Sequence, residues 1–159
     1  MYIQKLLKQM KIEDIIKTEN QLPASRRLII SLFSTTSWAT EQISEVLKPH
    51  EISLPQFNVL RILRGQKGKP ANLSTIQERM VNKMSNTTRL VDKLISKNLV
   101  ERITCEKNRR KVEITITSEG LSFLKKLDSV MDEIESEITQ NLSEIEIQQL
   151  TQLLYKLRQ

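Results

Sequence analysis

The stretch that decides the fold runs from residue 84 to residue 120 and reads MSNTTRLVDKLISKNLVERITCEKNRRKVEITITSEG. Its first part places Leu90, Val91, Leu94 and Ile95 at helical spacing beneath a polar, basic outer face, which predicts a helix over about 84–97. Two segments rich in β-branched residues follow, 99–105 and 111–116, separated by residues 106–110, which contain three Lys and Arg and one Glu. The second segment alternates apolar and polar residues, the pattern of a half-buried strand. The stretch therefore predicts a helix followed by a two-stranded ribbon with a basic turn.

A second helix is predicted directly before this one. Ser74-x-x-Gln77 has the pattern of a capping box and opens a short helix over 74–81, followed by a turn at Asn82 and Lys83. Two helices joined in this way form a helix-turn-helix, whose second helix lies in the major groove of DNA. A basic ribbon turn can reach the neighbouring minor groove. The pattern leaves open a solvated helix in an all-α bundle, with a hairpin turn that is basic for solubility.

The candidate DNA-binding residues lie on the outer side of the predicted helix and in the ribbon turn. Asn pairs with adenine and Arg with guanine through two hydrogen bonds each, and Lys and Arg also bind phosphates. The candidates on the helix are Ser85, Asn86, Thr88, Arg89 and Lys93, and those in the ribbon turn are Lys107, Arg109, Arg110 and Lys111.

The charge distribution also indicates a polyanionic partner. The net charge is +6, and residues 79–111 hold ten Lys and Arg against three Asp and Glu. The following residues 112–148 hold two Lys and nine Asp and Glu. A functionless surface more often mixes the signs, so one end of the molecule is expected to meet double-stranded DNA.

Amphipathic helical patterns account for most of the remaining chain. The predicted helices cover residues 3–17, 24–47, 53–63, 117–141 and 143–157. Ser53-x-x-Gln56 and Ser143-x-x-Glu146 have the pattern of capping boxes and open two of them, and Thr117 can cap another. The long helices at both ends have little of their own to pack against, so we expect their apolar stripes to be buried against a second copy. The predicted fold is mainly α with a small two-stranded β-wing. It is organised as dimerisation helices (1–50), a winged helix-turn-helix DNA-binding lobe (51–120) and further dimerisation helices (121–159).

Other functional classes find little support in the sequence. The single cysteine, Cys105, and the single histidine, His50, provide no disulfide, metal cluster or Cys-His pair. With no Gly-rich phosphate loop either, we expect no enzyme, no cofactor and no metal. No apolar run approaches the roughly 18 residues of a membrane span. The N-terminus has no signal-peptide core, so a cytoplasmic protein without a membrane partner is expected.

Several segments together resemble the MarR (multiple antibiotic resistance regulator) family of winged-helix repressors. The family's wing pattern, Asp-x-Arg, five residues, then Leu-Thr-x-x-Gly, is similar to residues 108–120 with two changes. TRLVDKL at 88–94 with LVER at 99–102 resembles the family's recognition helix and its exit. LPQFNVLRIL at 54–63 resembles its second core helix. The resemblance covers roughly residues 25–157.

The resemblance implies a homodimeric, ligand-responsive repressor that binds a pseudo-palindromic operator. It makes Arg110 the wing-tip arginine and places Ser85, Asn86, Thr88 and Arg89 at positions that contact bases or phosphates. The wing Asp of the family is Asn108 here, so the way the wing is held is expected to differ. A second departure is Asn98, which stands where the family has Gly. Asn is the usual substitute for Gly at a left-handed position, so we expect a left-handed residue there.

The resemblance also implies a small aromatic effector. The candidate pocket residues are Phe33, Trp38, His50 and Phe57, with packing in the core or the dimer interface as the alternative. Some relatives sense peroxides through an N-terminal cysteine. Cys105 is not at that position, and a packing role is the simpler interpretation. A functional alternative to DNA binding remains open, a winged-helix module that contacts an acidic protein partner.

Overall fold

A computed structural model describes residues 12–104 and 112–159. The predicted fold class, mainly α with a two-stranded wing, is confirmed. The helices are α1 (Ile12–Ile15), α2 (Ala24–Leu47), α3 (Leu54–Gly65), α4 (Leu73–Arg79), α5 (Thr87–Ile95), α6 (Ser118–Thr139) and α7 (Glu144–Lys156), and the strands are β1 (Val100–Thr104) and β2 (Val112–Ile116). The chain forms two compact units, residues 1–41 and 42–159, and the division falls within α2.

The first unit contains α1 and most of α2. The predicted helix over 3–17 is confirmed for Ile12–Ile15 and ends before Lys17, whose φ of 54° is left-handed. Residues 3–11 lie outside the described part of the chain. Arg27 Nε donates to Glu13 Oε1 at 2.7 Å, so an ion pair joins the two helices of this unit.

The second unit has one hydrophobic core. The apolar stripes of α3, α4, α5 and α6 and the inward face of β2 meet there, and burial of each such side chain contributes about 1.5–3 kcal/mol. The most buried residues are Leu47, Val59, Leu60, Ile76, Val91, Leu94, Val100, Ile114, Leu124 and Leu127. α3 is central to this core, since α4, α5, α6 and β2 all pack against it.

Local capping chemistry sets where several of these helices begin. The capping boxes predicted at Ser53 and Ser143 are both present, and Thr117 accepts a hydrogen bond from the Gly120 N–H at 2.9 Å. The box predicted at Ser74 is wrong. Asn72 caps α4 instead, because its side-chain oxygen accepts from the Thr75 N–H at 2.8 Å and Ser74 falls inside the helix.

The two strands form an antiparallel ribbon that is fixed to the core at its base. Val100 pairs with Ile116 at one end of the ribbon. The outer edge of β2 also pairs with Ala71, through two backbone hydrogen bonds of 2.9 and 2.8 Å with Ile114. The predicted left-handed residue between α5 and β1 is confirmed, as Asn98 has a φ of 58°.

Candidate nucleic-acid interface

The helix-turn-helix consists of α4, the connection 80–86 and α5. α5 begins at Thr87, so the expectation of a helix from residue 84 is wrong at its N-terminus. Asn82 explains the later start. Its side-chain oxygen accepts from the Met84 N–H at 2.9 Å and its carbonyl accepts from the Ser85 N–H at 3.2 Å. These bonds hold Met84 and Ser85 in a turn that precedes the helix.

Gln77 joins α4 to both the connection and the recognition helix. Its amide nitrogen donates to the Lys83 carbonyl, and its amide oxygen accepts from the Thr87 hydroxyl. The Lys83 ammonium in turn donates to the Glu78 carbonyl. Since Thr87 is the first residue of α5 and is itself buried, these bonds fix the N-terminal end of that helix on α4.

The outer face of α5 carries most of the predicted helix contacts. Val91 and Leu94 are fully buried on the inner face, as expected. Asn86, Thr88, Arg89 and Lys93 are exposed on the outer side, and Ser85 is half-buried. A polar, cationic helix face of this kind can donate to phosphates and to base edges.

Asn86 also has a structural role. The sequence did not reveal this role, because the predicted helix begins at residue 84 and places Asn86 inside the helix. Asn86 is the N-cap of α5, and its side-chain oxygen accepts from the Arg89 N–H at 3.1 Å. Pairing with adenine through two hydrogen bonds would use the same oxygen. Asn86 therefore stabilises the helix that carries the other contacts, and base recognition would compete with this cap.

The ribbon is joined to α5 by a surface ion pair. Arg102 of β1 donates to Asp92 of α5, with 2.7 Å between the guanidinium nitrogen and Oδ1. The four basic residues predicted to contact DNA from the wing lie outside the described residues, as do Cys105 and Asn108. They are Lys107, Arg109, Arg110 and Lys111. The described strand ends that flank them, Thr104 and Val112, are paired.

Comparison with known proteins agrees with this geometry. The sequence model of the MarR family matches residues 52–112, which span α3, α4, α5 and β1 and end at the first residue of β2. The HTH-type transcriptional regulator YfiV of Bacillus subtilis is 32% identical over 114 residues, 70% of this chain and 69% of that protein. The chain belongs to the MarR family.

Two further relatives of this MarR protein are also transcriptional regulators. The HTH-type transcriptional regulator TcaR of Staphylococcus aureus is 29% identical over 116 residues, 72% of this chain and 75% of TcaR. A mutant MarR from E. coli, whose crystal structure in complex with operator DNA is known, is 25% identical in sequence to this chain. The two structures superpose with a TM-score of 0.71. The match covers 79% of this chain and 89% of that one. This chain is accordingly a MarR-family transcriptional regulator, and its relatives are regulators rather than enzymes.

The four candidate effector-pocket residues lie in different environments of this MarR protein. Phe33 and Trp38 are on α2 in the first unit, with 72% and 42% of their surface exposed. Phe57 is buried in the core of the second unit. His50 is exposed and lies edge-on to Phe123, with 6.5 Å between ring centroids.

The second unit has two open grooves that none of these four candidates lines, although Phe123, the ring beside His50, lines the second. One, of about 410 Å³, is next to Ala71 and Val112. The other, of about 520 Å³, lies between Asn98 and Phe123. The effector pocket stays a prediction from the family resemblance.

The described chain offers neither a metal site nor a membrane span. Within residues 12–104 and 112–159, no group of three His, Cys, Asp or Glu side chains is placed to hold a metal ion. In the same ranges, no helix combines the length and the apolar character needed to cross a membrane.

Proposed function

We propose that this MarR-family protein is a homodimeric, sequence-specific DNA-binding repressor that responds to a small aromatic ligand. The observation that carries the proposal is the exposed, cationic outer face of α5 at the end of a helix-turn-helix. α5 is anchored by its inner face to the core, and Gln77 fixes its N-terminal end. A helix presented in this way can enter the major groove without rearrangement of the fold.

The local charge supports DNA as the partner. The +7 of residues 79–111 is concentrated in the helix-turn-helix and ribbon, and lysine or arginine contacts to phosphates release condensed counterions. Affinity should therefore fall steeply with salt. By the family resemblance, Arg110 enters the minor groove and Lys107, Arg109 and Lys111 contact DNA beside it. Arg110→Ala should weaken operator binding in a gel-shift titration, and unchanged affinity would contradict the wing assignment.

Exposed apolar side chains support a homodimer. α7 has no buried residue within this chain, and Ile145, Leu150, Leu153 and Leu157 are all exposed. α2 exposes Phe33 in the same manner. An apolar stripe of this extent is stabilised when a second copy covers it. We therefore assign 1–50 and 121–159 to dimerisation and 51–120 to DNA binding.

Repression and ligand response follow from the family resemblance. A dimer seated on an operator occupies the duplex that other DNA-binding proteins need. An aromatic ligand bound near Phe33, Trp38, His50 or Phe57 would release it by favouring a dimer whose two recognition helices no longer match the half-site spacing. A regulator of this kind acts in the cytoplasm, where the DNA is.

Selection from a random duplex pool tests the proposal and separates it from the protein-contact alternative. The wild-type chain should enrich a pseudo-palindrome with half-sites about 10 bp apart, centre to centre. Arg89→Ala should reduce that enrichment, whereas Lys125→Ala, which changes an exposed cation of α6 by the same charge, should not. A wild-type protein that enriches no sequence would refute sequence-specific DNA binding and favour a module that binds an acidic protein.

A further inference from the structure

The connection between α4 and α5 carries two apolar side chains that the fold leaves in solvent. Met84 is 93% exposed and Val81 is 90% exposed, the highest values among the exposed large hydrophobic residues of the described chain. A single exposed apolar residue needs no explanation by itself. These two matter because of where they lie, immediately before the helix proposed to read DNA.

The backbone beneath Met84 is held in place on both sides. The Met84 N–H donates to the Asn82 side chain at 2.9 Å, and the preceding carbonyl, that of Lys83, accepts from Gln77. The next N–H, that of Ser85, donates to the Asn82 carbonyl at 3.2 Å. The Met84 side chain is thus exposed on a backbone that has little conformational freedom. A partner that covers this side chain therefore loses less free energy to ordering of the backbone.

The neighbours of Met84 favour a nucleic acid as that partner. Met84 lies two residues before the N-cap Asn86, and the N-terminal end of a recognition helix is the end that meets base edges. Lys83 and Arg89 flank it in sequence, and a cationic surround disfavours a purely apolar protein partner. Within a major groove, the apolar feature that a side chain can contact is the 5-methyl group of thymine.

We propose that Met84 contacts the 5-methyl group of a thymine in each operator half-site and so contributes to base specificity. This inference rests on the proposed DNA-binding function and names an additional specificity-determining residue for it. The Asn, Arg, Ser and Thr side chains of α5 and of the turn before it offer hydrogen bonds, and Met84 adds a contact that recognises a methyl group.

Thymine-to-deoxyuridine substitution tests the contact, since it removes the methyl group and leaves base pairing intact. Each thymine of the selected operator is replaced in turn, and affinities are measured for wild type, Met84→Gln, Met84→Leu and Val81→Ala. For wild type, one position per half-site should weaken binding about fourfold, the factor expected for one buried methyl group. Replacing it in both half-sites should weaken binding about fifteenfold.

The variants assign the effect to one side chain. Met84→Gln has similar length but is polar, and it should bind the thymine and deoxyuridine duplexes equally. Met84→Leu stays apolar and should keep the discrimination, as should Val81→Ala. Discrimination that survives in Met84→Gln but is lost in Val81→Ala would overturn the assignment to Met84.

The remaining outcomes separate this inference from the proposed function. If wild type binds its selected operator tightly and no deoxyuridine substitution weakens binding, the methyl contact is refuted while DNA binding stands, and Met84 is left for a protein partner. If no operator is enriched, both are refuted.

Discussion

Gly120 is the position where a single added methyl group should disturb the fold most clearly. A Cβ at residue 120 would lie 2.1 Å from the Leu99 carbonyl oxygen and 2.8 Å from Cγ1 of Ile116. About 1 Å of separation must be gained before such a contact is ordinary, and close-packed interiors resist that movement. The Leu99 carbonyl is a backbone group that also accepts from the Thr117 N–H at 3.2 Å.

The cost of Gly120→Ala follows from these two contacts. Overpacking costs about 1–3 kcal/mol, and loss of the hydrogen bond from the Thr117 N–H adds about 1 kcal/mol. Alanine at this helical position recovers about 0.5–1 kcal/mol of helix propensity. The free energy of unfolding should therefore fall by about 1–3 kcal/mol, and the urea midpoint by roughly 0.5–1.5 M.

The matched control is Gly65→Ala, at the last residue of α3. A Cβ there has no atom within 4 Å, and the φ of Gly65 is not in the left-handed region. Alanine should change the unfolding free energy by less than about 1 kcal/mol and in the stabilising direction. Both variants are unfolded in urea at equal protein concentration, because the proposed dimerisation would make stability depend on concentration. A Gly120→Ala midpoint equal to that of Gly65→Ala would refute the close-approach argument.

Three further predictions test the caps and the dimer. Asn86→Ala should lower the free energy of unfolding in urea by about 1 kcal/mol, because the cap is lost. Asn86→Asp keeps the capping oxygen and the stability, but it should bind the operator more weakly in a gel shift because its carboxylate repels phosphates. Equal destabilisation by the two variants would contradict the cap. Hydrogen bonds from Ser143 lower the pKa of the Glu146 carboxyl, so its stabilisation of α7 is present above its ordinary value of 4.5 and is lost as pH falls through the lowered pKa. The circular-dichroism signal should therefore fall more on acidification for wild type than for Glu146→Gln, and identical titrations would rule out this contribution. In analytical ultracentrifugation, Leu153→Glu should sediment as a monomer, because it puts a charge on the exposed apolar stripe of α7. The control Gln152→Glu should remain dimeric. A dimeric Leu153→Glu would exclude α7 from the interface.

The features that were predictable from the sequence depend on neighbouring residues. Ser53 and Ser143 cap their helices through residues three positions later, and Asn98 adopts the left-handed conformation three residues after the end of α5. The buried face of α5 also followed from spacing alone, because Val91 and Leu94 lie one turn apart. Each of these features depends on residues within or next to a single helix, so tertiary contacts did not change them.

The errors arose where two candidate caps compete or where a contact crosses between helices. Ser74-x-x-Gln77 fits a capping box, but Asn72 caps α4 and the Gln77 side chain bonds Lys83 and Thr87 instead. The hydrogen bonds that Asn82 accepts from the Met84 and Ser85 N–H groups then delay the start of α5 from residue 84 to residue 87. The spacing of apolar residues along the sequence does not predict these side-chain hydrogen bonds, which hold Met84 in its exposed position.

The spacing of the two half-sites tests the central claim most directly, that two copies of this chain place their recognition helices in successive major grooves. Affinity is measured for the selected pseudo-palindrome and for the same duplex with about 5 bp, half a helical turn, inserted at its centre, which puts the half-sites on opposite faces. Because only one half-site can then be engaged, affinity should fall by about a hundredfold or more. Equal affinity for the two duplexes would contradict the account.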